Sequence, residues 1–383
     1  MKNIVLLGAT GSIGESCLNV IRQNKEHFHL FGMGFGGNLD KAQKIAKEFN
    51  PEHIFVAESN IDKSHDLLQT YPNILNTADE LQELIQDPCV DIVISAISGF
   101  AGLRASYFAI DAGKKILIAN KESIVAAGDI LMPLAKIKNS EIIPLDSEHN
   151  AIHQCLPLQR NLNEISKIII TASGGPFREK SLKDLSSVTL EDALNHPTWS
   201  MGKKITIDSA TLVNKCLELI EAHYLFQIPE SQIEIVVHPQ SIIHSMVTFI
   251  DGSTIAQMSN PNMEVPIANA LGLEQRLPID FEQINFSELN LSFESITDGR
   301  EEIFDMAREV CNKKGNLGVI FNASNEIAVE AFINQQISFI DIYKVIQRTF
   351  EYFPCSKVPT LEDIFEYDKQ ARIQAEKVIK SLH

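Results

Sequence analysis

The sequence is short of basic charge, of paired cysteines and of long apolar runs, and each shortage excludes something. Across 383 residues, 33 Lys and Arg stand against 50 Asp and Glu, a formal charge of −17. Such a chain lacks the broad basic face that counterion release requires, so nucleic acid is not an expected partner. Anionic membrane surfaces are disfavoured for the same reason. The six cysteines, at 17, 89, 155, 216, 311 and 355, form no C-x-x-C pair and no dense cluster. That usage belongs to a reducing compartment rather than to a disulfide scaffold or a structural zinc site. The most apolar charge-free stretch, residues 235–250, holds two His and Pro239 and does not span a bilayer. Residues 2–7 already read as a first strand, with no signal or transit segment before them, so the expected location is the cytoplasm. There is no internal repeat and no low-complexity tract.

What is present is an ordinary globular composition, 44% hydrophobic with 20 Phe, which excludes a disordered chain. The length suits two or three domains, each able to bury a core. Apolar strands at 4–7, 28–35, 53–57, 90–96, 115–119 and 141–145 alternate with helical stretches at 12–23, 39–49, 101–112 and 123–137. This rhythm predicts an α/β fold whose first domain, residues 1–148, is doubly wound and Rossmann-like. Residues 149–262 read as an α+β domain, with strands at 167–171, 203–207 and 233–237 and a helix at 212–226. A hairpin there joins 242–250 to 253–258 around Asp251-Gly252, a favoured type I′ pair. Residues 263–299, scattered with Pro, Asn and Ser, read as a linker, and residues 300–383 as a C-terminal helical bundle.

Gly8-Ala9-Thr10-Gly11-Ser12-Ile13-Gly14 lies between the first strand and the first helix. Glycines there let backbone N–H groups approach a pyrophosphate resting at the helix N-terminus. A tight β–α turn alone would also explain them; the place within a βαβ unit favours the nucleotide. At the end of the second strand, residues 32–38 carry no Asp or Glu to bind a ribose 2′-hydroxyl, which tilts the reading to NADP. No Arg or Lys stands there either, the nearest being Lys41.

Asp146 and Glu148 follow the strand at 141–145, and in extended backbone residues two apart point the same way. Adjacent carboxylates repel unless a cation or shared proton relieves them. Acids equally suit the first turn of a helix, so capping is the competing reading. His149 and His153, four apart and near Cys155, are a rival transition-metal pair. Further on, Asn214, Lys215 and Glu218 share a helical face. Lys215 and Glu218 would suit a surface ion pair; alternatively Glu218 is a third oxygen ligand while Ser209, Asn214 and Lys215 hold a phosphate. Three carboxylates suit Mg²⁺ or Mn²⁺ rather than zinc.

These residues resemble the 1-deoxy-D-xylulose 5-phosphate reductoisomerase family. The resemblance runs through the glycine turn, Ala119-Asn120-Lys121-Glu122-Ser123, residues 145–152, residues 171–177 and residues 196–202. It continues in residues 207–211, 214–218, 238–245 and 322–326. It implies an enzyme of non-mevalonate isoprenoid synthesis that depends on NADPH and a divalent metal. Such an enzyme rearranges 1-deoxy-D-xylulose 5-phosphate, reduces the resulting aldehyde to 2-C-methyl-D-erythritol 4-phosphate, and works as a homodimer. By the match, Asp146, Glu148 and Glu218 bind the metal. Ser173, Ser209, Asn214 and Lys215 hold the substrate phosphate, with Ser147 at the substrate hydroxyls. His196 and Trp199 lie on a mobile lid, about residues 191–202, and Glu148, His196 and Lys215 are the expected catalytic groups. Thr10, Gly11, Ser12 and Ile13 meet the cofactor pyrophosphate, and Gly36, Gly37 and Asn38 the adenosine end. Asn120, Lys121, Glu122, Met201 and Gly202 line its ribose and nicotinamide side.

Three positions depart from the family pattern. Gly37 replaces a common Lys or Arg, His153 a usual Phe, and Cys216 a usual Gly or Ala. Cys216 is then a buried hydrophobe or a thiol sensitised by Lys215. Two other readings compete with the reductoisomerase. A simple NADP-linked dehydrogenase of a phosphorylated alcohol would leave the carbon skeleton unchanged. A non-catalytic NADPH sensor would need the glycine turn but not Asp146, Glu148 and Glu218.

Overall fold

The computed structural model describes residues 1–57, 74–157, 161–199, 201–272, 275–296, 299–300 and 302–382. They form two compact units, one of residues 1–120, 131–150 and 262–281, the other of 121–130, 151–261 and 282–383.

The first unit is an α/β sandwich. In chain order it contains β1 (Lys2–Leu7), α1 (Ser12–Gln23), β2 (Phe28–Phe35), α2 (Leu39–Phe49), β3 (His53–Val56) and β4 (Ile74–Leu75). Then come α3 (Ala78–Gln86), β5 (Ile92–Ser95), α4 (Leu103–Asp111), β6 (Lys115–Ile118), the part of α5 (Lys121–Lys138) from residue 131, β7 (Ile142–Pro144) and the part of α6 (Ser147–Cys155) up to residue 150. Seven strands pair in the order β4-β3-β2-β1-β5-β6-β7, all parallel. This is the doubly wound sheet that the apolar runs predict. Parallel strands are covered on both faces, which is why residues 4–7 are apolar without alternation and fully buried. Strand order reverses at β1, flanked by β2 and β5, and ligands of such sheets bind at the strands' carboxyl ends beside that reversal. Helix α5 leaves helical geometry at Ala127 (φ −134°), and the boundary between units falls just after it, at 130/131.

The second unit contains a four-stranded sheet of β8 (Ile165–Ala172), β9 (Ile233–Val237), β10 (Ile243–Phe249) and β11 (Thr254–Met258), ordered β11-β10-β8-β9. Between β8 and β9 run α7 (Leu190–Leu194), α8 (Lys203–Thr211) and α9 (Val213–Phe226). Helix α10 (Glu264–Leu271) belongs to the first unit, where Ile267, Ala268, Ala270 and Leu271 join the core. The segment expected as a linker is therefore partly core. The helical section follows as α11 (Glu302–Lys313), α12 (Leu317–Ile333), α13 (Phe339–Tyr352) and α14 (Leu361–Lys380). Nearly every residue of α12 is buried, because it packs against both α13 and α14.

Two expectations are corrected. Residues 203–207 are the start of α8, not a strand. The β-branched run Ile205-Thr206-Ile207 is overruled by helical spacing: Ile207, Ala210 and Thr211 are buried together, and Lys204 reaches Asp208 one turn on at 2.8 Å. The hairpin turns through three residues, 250–252, with Gly252 N–H donating to Phe249 O at 3.0 Å and Phe249 N–H to Ser253 O at 2.8 Å. Only Gly252 has positive φ, +86°, so the turn is type I with a glycine bulge rather than type I′.

Candidate functional site

In the first unit the glycine turn leads straight from β1 into α1. Gly8 has φ +90°, and a Cβ there would lie 2.3 Å from Ala96 O, so no side chain fits. Gly11 is the N-cap of α1 with no side-chain cap, and Gly11 and Ser12 are exposed while Thr10 and Ile13 are half-buried. The first-turn N–H groups are therefore open to an anion. At the end of β2, Gly36, Gly37 and Asn38 are exposed, and Asn38 Oδ1 accepts from Lys41 N–H at 3.1 Å. The nearest base is already engaged, for Lys41 Nζ lies 2.9 Å from Glu15 Oε2. Asn120 closes the turn after β5, its Nδ2 donating to Ile97 O at 2.7 Å and Gly99 O at 2.8 Å.

Asp146 and Glu148 do converge, but not by strand geometry. Helix α6 begins at Ser147, and Asn150 N–H donates to Asp146 O at 2.8 Å, so the backbone is helical where an extended run was expected. The helix start folds the two carboxylates together, each offering an oxygen within 4.8 Å of the other. Ser147 Oγ donates to Glu148 Oε2 at 2.8 Å. His149 is fully buried with Nδ1 3.9 Å from Asp146 Oδ2. Among the described residues no metal-capable cluster includes His153 or Cys155, so the rival histidine pair is not assembled.

In the second unit α9 buries a polar face. Glu218 is 1% exposed and its Oε1 accepts from Asn214 Nδ2 at 2.5 Å and Lys121 Nζ at 3.2 Å. Its Oε2 accepts from Lys215 Nζ at 2.5 Å, and Lys121 also donates to Asn214 Oδ1 at 3.0 Å. Lys215 and Glu218 are thus a buried cluster, not a surface pair. Asn214, Lys215 and Glu218 were legible as one face; Lys121, placed by sequence on the cofactor side, joins them at α5's N-terminus. Cys216 is fully buried and burial pushes its thiol far above the ordinary range, so it is a buried hydrophobe and not a sensitised thiol.

Ser173, expected at the phosphate, and His196, expected on the lid, meet with Oγ and Nε2 3.1 Å apart. Gly175 N–H also donates to Ser173 Oγ at 3.2 Å. Gly175 has φ +66° and a Cβ there would be 2.9 Å from Ser209 O, so only glycine lets this turn lie against the end of α8. His196 Nδ1 accepts from Trp199 N–H at 2.9 Å and Thr198 N–H at 3.2 Å, which places the ring proton on Nε2. Desolvation, aided by Lys215, holds this imidazole below its ordinary pKa, so it is neutral at pH 7. Trp199 lies 6.2 Å from the His244 ring. Met201 is half-buried and Gly202 is the N-cap of α8; Ser200 lies outside the described residues.

One cluster carried no sequence expectation as a unit. Lys204 Nζ reaches Glu122 Oε1 at 2.7 Å and Asp208 Oδ2 at 2.8 Å, and Asn325 Nδ2 donates to Asp208 Oδ1 at 2.9 Å. Burial raises the Glu122 carboxyl, but Lys204 outweighs it and the net shift is downward. For Asp208 burial wins and the net shift is upward. The four-residue spacing of Lys204 and Asp208 was a visible signal, hidden by reading residues 203–207 as a strand.

The chain matches known proteins along its length. Residues 4–128 match the family model of 1-deoxy-D-xylulose 5-phosphate reductoisomerase. Residues 142–226 match that of the 1-deoxy-D-xylulose 5-phosphate reductoisomerase C-terminal domain, and 258–374 that of the DXP reductoisomerase C-terminal domain. A 1-deoxy-D-xylulose 5-phosphate reductoisomerase of Bacillus cereus (strain AH187) is 44% identical over 374 residues, 97% of this chain and 98% of that one. That of Pelotomaculum thermopropionicum is 44% identical over 386 residues, covering both chains completely. A solved structure of DOX-P reductoisomerase in complex with NADPH, fosmidomycin and magnesium has a TM-score of 0.93 at 38% identity, covering 100% of this chain and 99% of that one. The Zymomonas mobilis enzyme in complex with NADPH gives 0.91 at 40% identity, covering 99% of each.

Proposed function

Because the chain belongs to the 1-deoxy-D-xylulose 5-phosphate reductoisomerase family, we propose how its own residues divide the work of that reaction. The protein is an NADPH- and divalent-metal-dependent reductoisomerase. It rearranges 1-deoxy-D-xylulose 5-phosphate and reduces the aldehyde to 2-C-methyl-D-erythritol 4-phosphate. A plain dehydrogenase or a sensor is not favoured. Residues 1–148 take the dinucleotide: Thr10, Gly11, Ser12 and Ile13 the pyrophosphate, and Gly36, Gly37 and Asn38 the adenosine end. Asn120, Glu122, Met201 and Gly202 take the ribose and nicotinamide side, and Lys121 is reassigned to support Glu218.

Asp146, Glu148 and Glu218 are the metal ligands in this reading. The donor set fits: all are oxygens, Asp146 and Glu148 converge within 4.8 Å, and the Glu218 carboxylate accepts from three donors. When bound, Mg²⁺ or Mn²⁺ polarises the substrate carbonyl as a Lewis acid. Lys215, Asn214, Ser209 and Ser173 hold the phosphate, Lys215 supplying its one full positive charge and the others neutral donors. Ser147 orients the substrate hydroxyls. His196, neutral with its proton on Nε2, donates a hydrogen bond without adding charge. Residues 191–202 close as a lid with Trp199 as apolar cover, so that the aldehyde meets hydride before it escapes.

The observation that carries this reading is the buried polar face of α9, where a carboxylate and a lysine three residues apart are both hidden from water. Anaerobic turnover across a metal series, with identification of the product, tests it. NADPH oxidation should stop in EDTA, return with Mg²⁺ or Mn²⁺, and yield the branched skeleton. Turnover without metal, or an unbranched product, would sink the assignment. We further propose a cytoplasmic homodimer. All six cysteines are free, and no described helix is long and apolar enough to cross a membrane. Strand β11 is a sheet edge with Ile255 49% exposed, the kind of edge a second copy covers. Light scattering on the purified protein should give twice the chain mass.

A further inference from the structure

We propose that the cavity beside Arg300 binds a small zwitterion, a molecule of free-amino-acid size with one carboxylate and one ammonium group. This stands apart from the reaction site and does not rest on its reading. The cavity has a volume of about 160 Å³ and is lined by residues of the second unit, among them Arg300. Arg300 is 5% exposed, and neither its Nε nor its Nη1 has a hydrogen-bond partner among the described residues. A guanidinium cannot shed its proton at any working pH, so a buried one needs an acceptor. Its planar fork matches a carboxylate, which can take two parallel hydrogen bonds.

The rest of the lining says what else the molecule carries. Leu182, Ile303 and Phe350 are apolar and offer a surface for a hydrocarbon side chain. Tyr343 is held in place by donating its hydroxyl to Thr211 O at 2.9 Å, so that part of the wall is preformed. Glu302 and Glu351 also line the cavity and are exposed, while Glu309 is half-buried. Glu309 is already paired with Lys313 at 2.7 Å, but the two exposed carboxylates of Glu302 and Glu351 work against a phosphate dianion and favour a ligand with a cationic end. One internal anion, one ammonium at the acidic rim and an apolar body between them satisfy every part of this lining.

The test uses the full chain with L-leucine as probe, followed by saturation-transfer NMR and calorimetry. 4-Methylpentanoate, lacking the ammonium, and isopentylamine, lacking the carboxylate, are the comparison ligands, with inorganic phosphate as a fourth. Saturable L-leucine binding is expected, with isopentylamine about tenfold weaker or more for want of the arginine-bound carboxylate. Arg300→Gln should abolish leucine binding. Glu351→Gln, at an exposed position, should weaken leucine about threefold while leaving 4-methylpentanoate unchanged or tighter. Absence of saturable leucine binding overturns the proposal, since water alone then satisfies Arg300. So does unchanged leucine affinity in both variants. Phosphate binding as tightly as leucine would overturn the zwitterion assignment.

Discussion

The two units bury opposite kinds of surface beneath their candidate functional residues. In the first, Ile4, Val5, Leu6 and Leu7 of β1 are fully buried and apolar, and the expected contacts to a ligand fall to exposed backbone at the glycine turn. In the second, α9 buries Asn214, Lys215 and Glu218 at 8%, 6% and 1% exposure, each closed against another. An apolar core loses stability in proportion to the volume removed. A buried ion cluster fails all at once, because cutting one member strands the others. Scaffold and chemistry are thus separable in the first unit and fused in the second.

The largest expected effect breaks the cluster at its centre. Glu218→Ala removes the carboxylate that Lys121, Asn214 and Lys215 share, and should cost about 3–5 kcal/mol in urea unfolding. Ile4→Val, a full-depth trim in the first unit, should cost only about 1 kcal/mol. Glu218→Gln keeps the shape and an acceptor oxygen but not the charge; it should recover part of the stability lost in the Ala variant yet lose turnover by about 100-fold or more. Equal stability of the Ala and Gln variants would erase the contrast between the units.

Next in size is the backbone of the first unit. Gly8→Ala meets both a φ of +90° and a carbonyl 2.3 Å from the new methyl. It should cost about 2–3 kcal/mol and raise the NADPH dissociation constant, read by cofactor fluorescence. Smaller again is Lys204→Met, about 2 kcal/mol, since Lys204 is partly exposed while Asp208 is not. Adding Asp208→Asn should recover part of that loss. Asp208 and Glu122 both lose Lys204, Asp208 is the more deeply buried of the two, and an amide there keeps an acceptor for Asn325. No recovery would mean that the lysine stem, not its charge, supports α8.

What could be read from the chain follows the same division. Parallel strands covered on both faces announce themselves as continuous apolar runs, and the turn at residues 8–14 is local, so the first unit was legible. On α9 the spacing of Asn214, Lys215 and Glu218 was legible too, because one helix turn brings them together. Lys121 was not: it lies 97 residues before Glu218, and nothing local marks the pairing. Cys216 was left open between a buried hydrophobe and a sensitised thiol; neighbours on a helix are turned about 100° apart, and burial decides for the first. Residues 203–207 misled by β-branched composition, which tertiary packing overrode.

The smallest expected effect sharpens the comparison at a single ring. His196 in the second unit is neutral because burial and Lys215 both disfavour its charge, and its Nδ1 is committed to two backbone N–H donors. Protonation would put a proton where an acceptor is required. Its folded pKa lies below the ordinary value near 6.5, so between the two the unfolded chain binds the extra proton. The contribution to stability is therefore complete above about pH 6.5 and fades as pH falls toward the folded value. Nitrogen NMR of ring-labelled protein should show an Nε2–H tautomer at pH 7, with a titration midpoint below that of free histidine. His196→Gln should flatten the corresponding slope of stability against pH. An imidazolium at pH 7 would instead mean that the second unit keeps a further cation beside Lys215, and its buried charge would no longer be closed pair by pair.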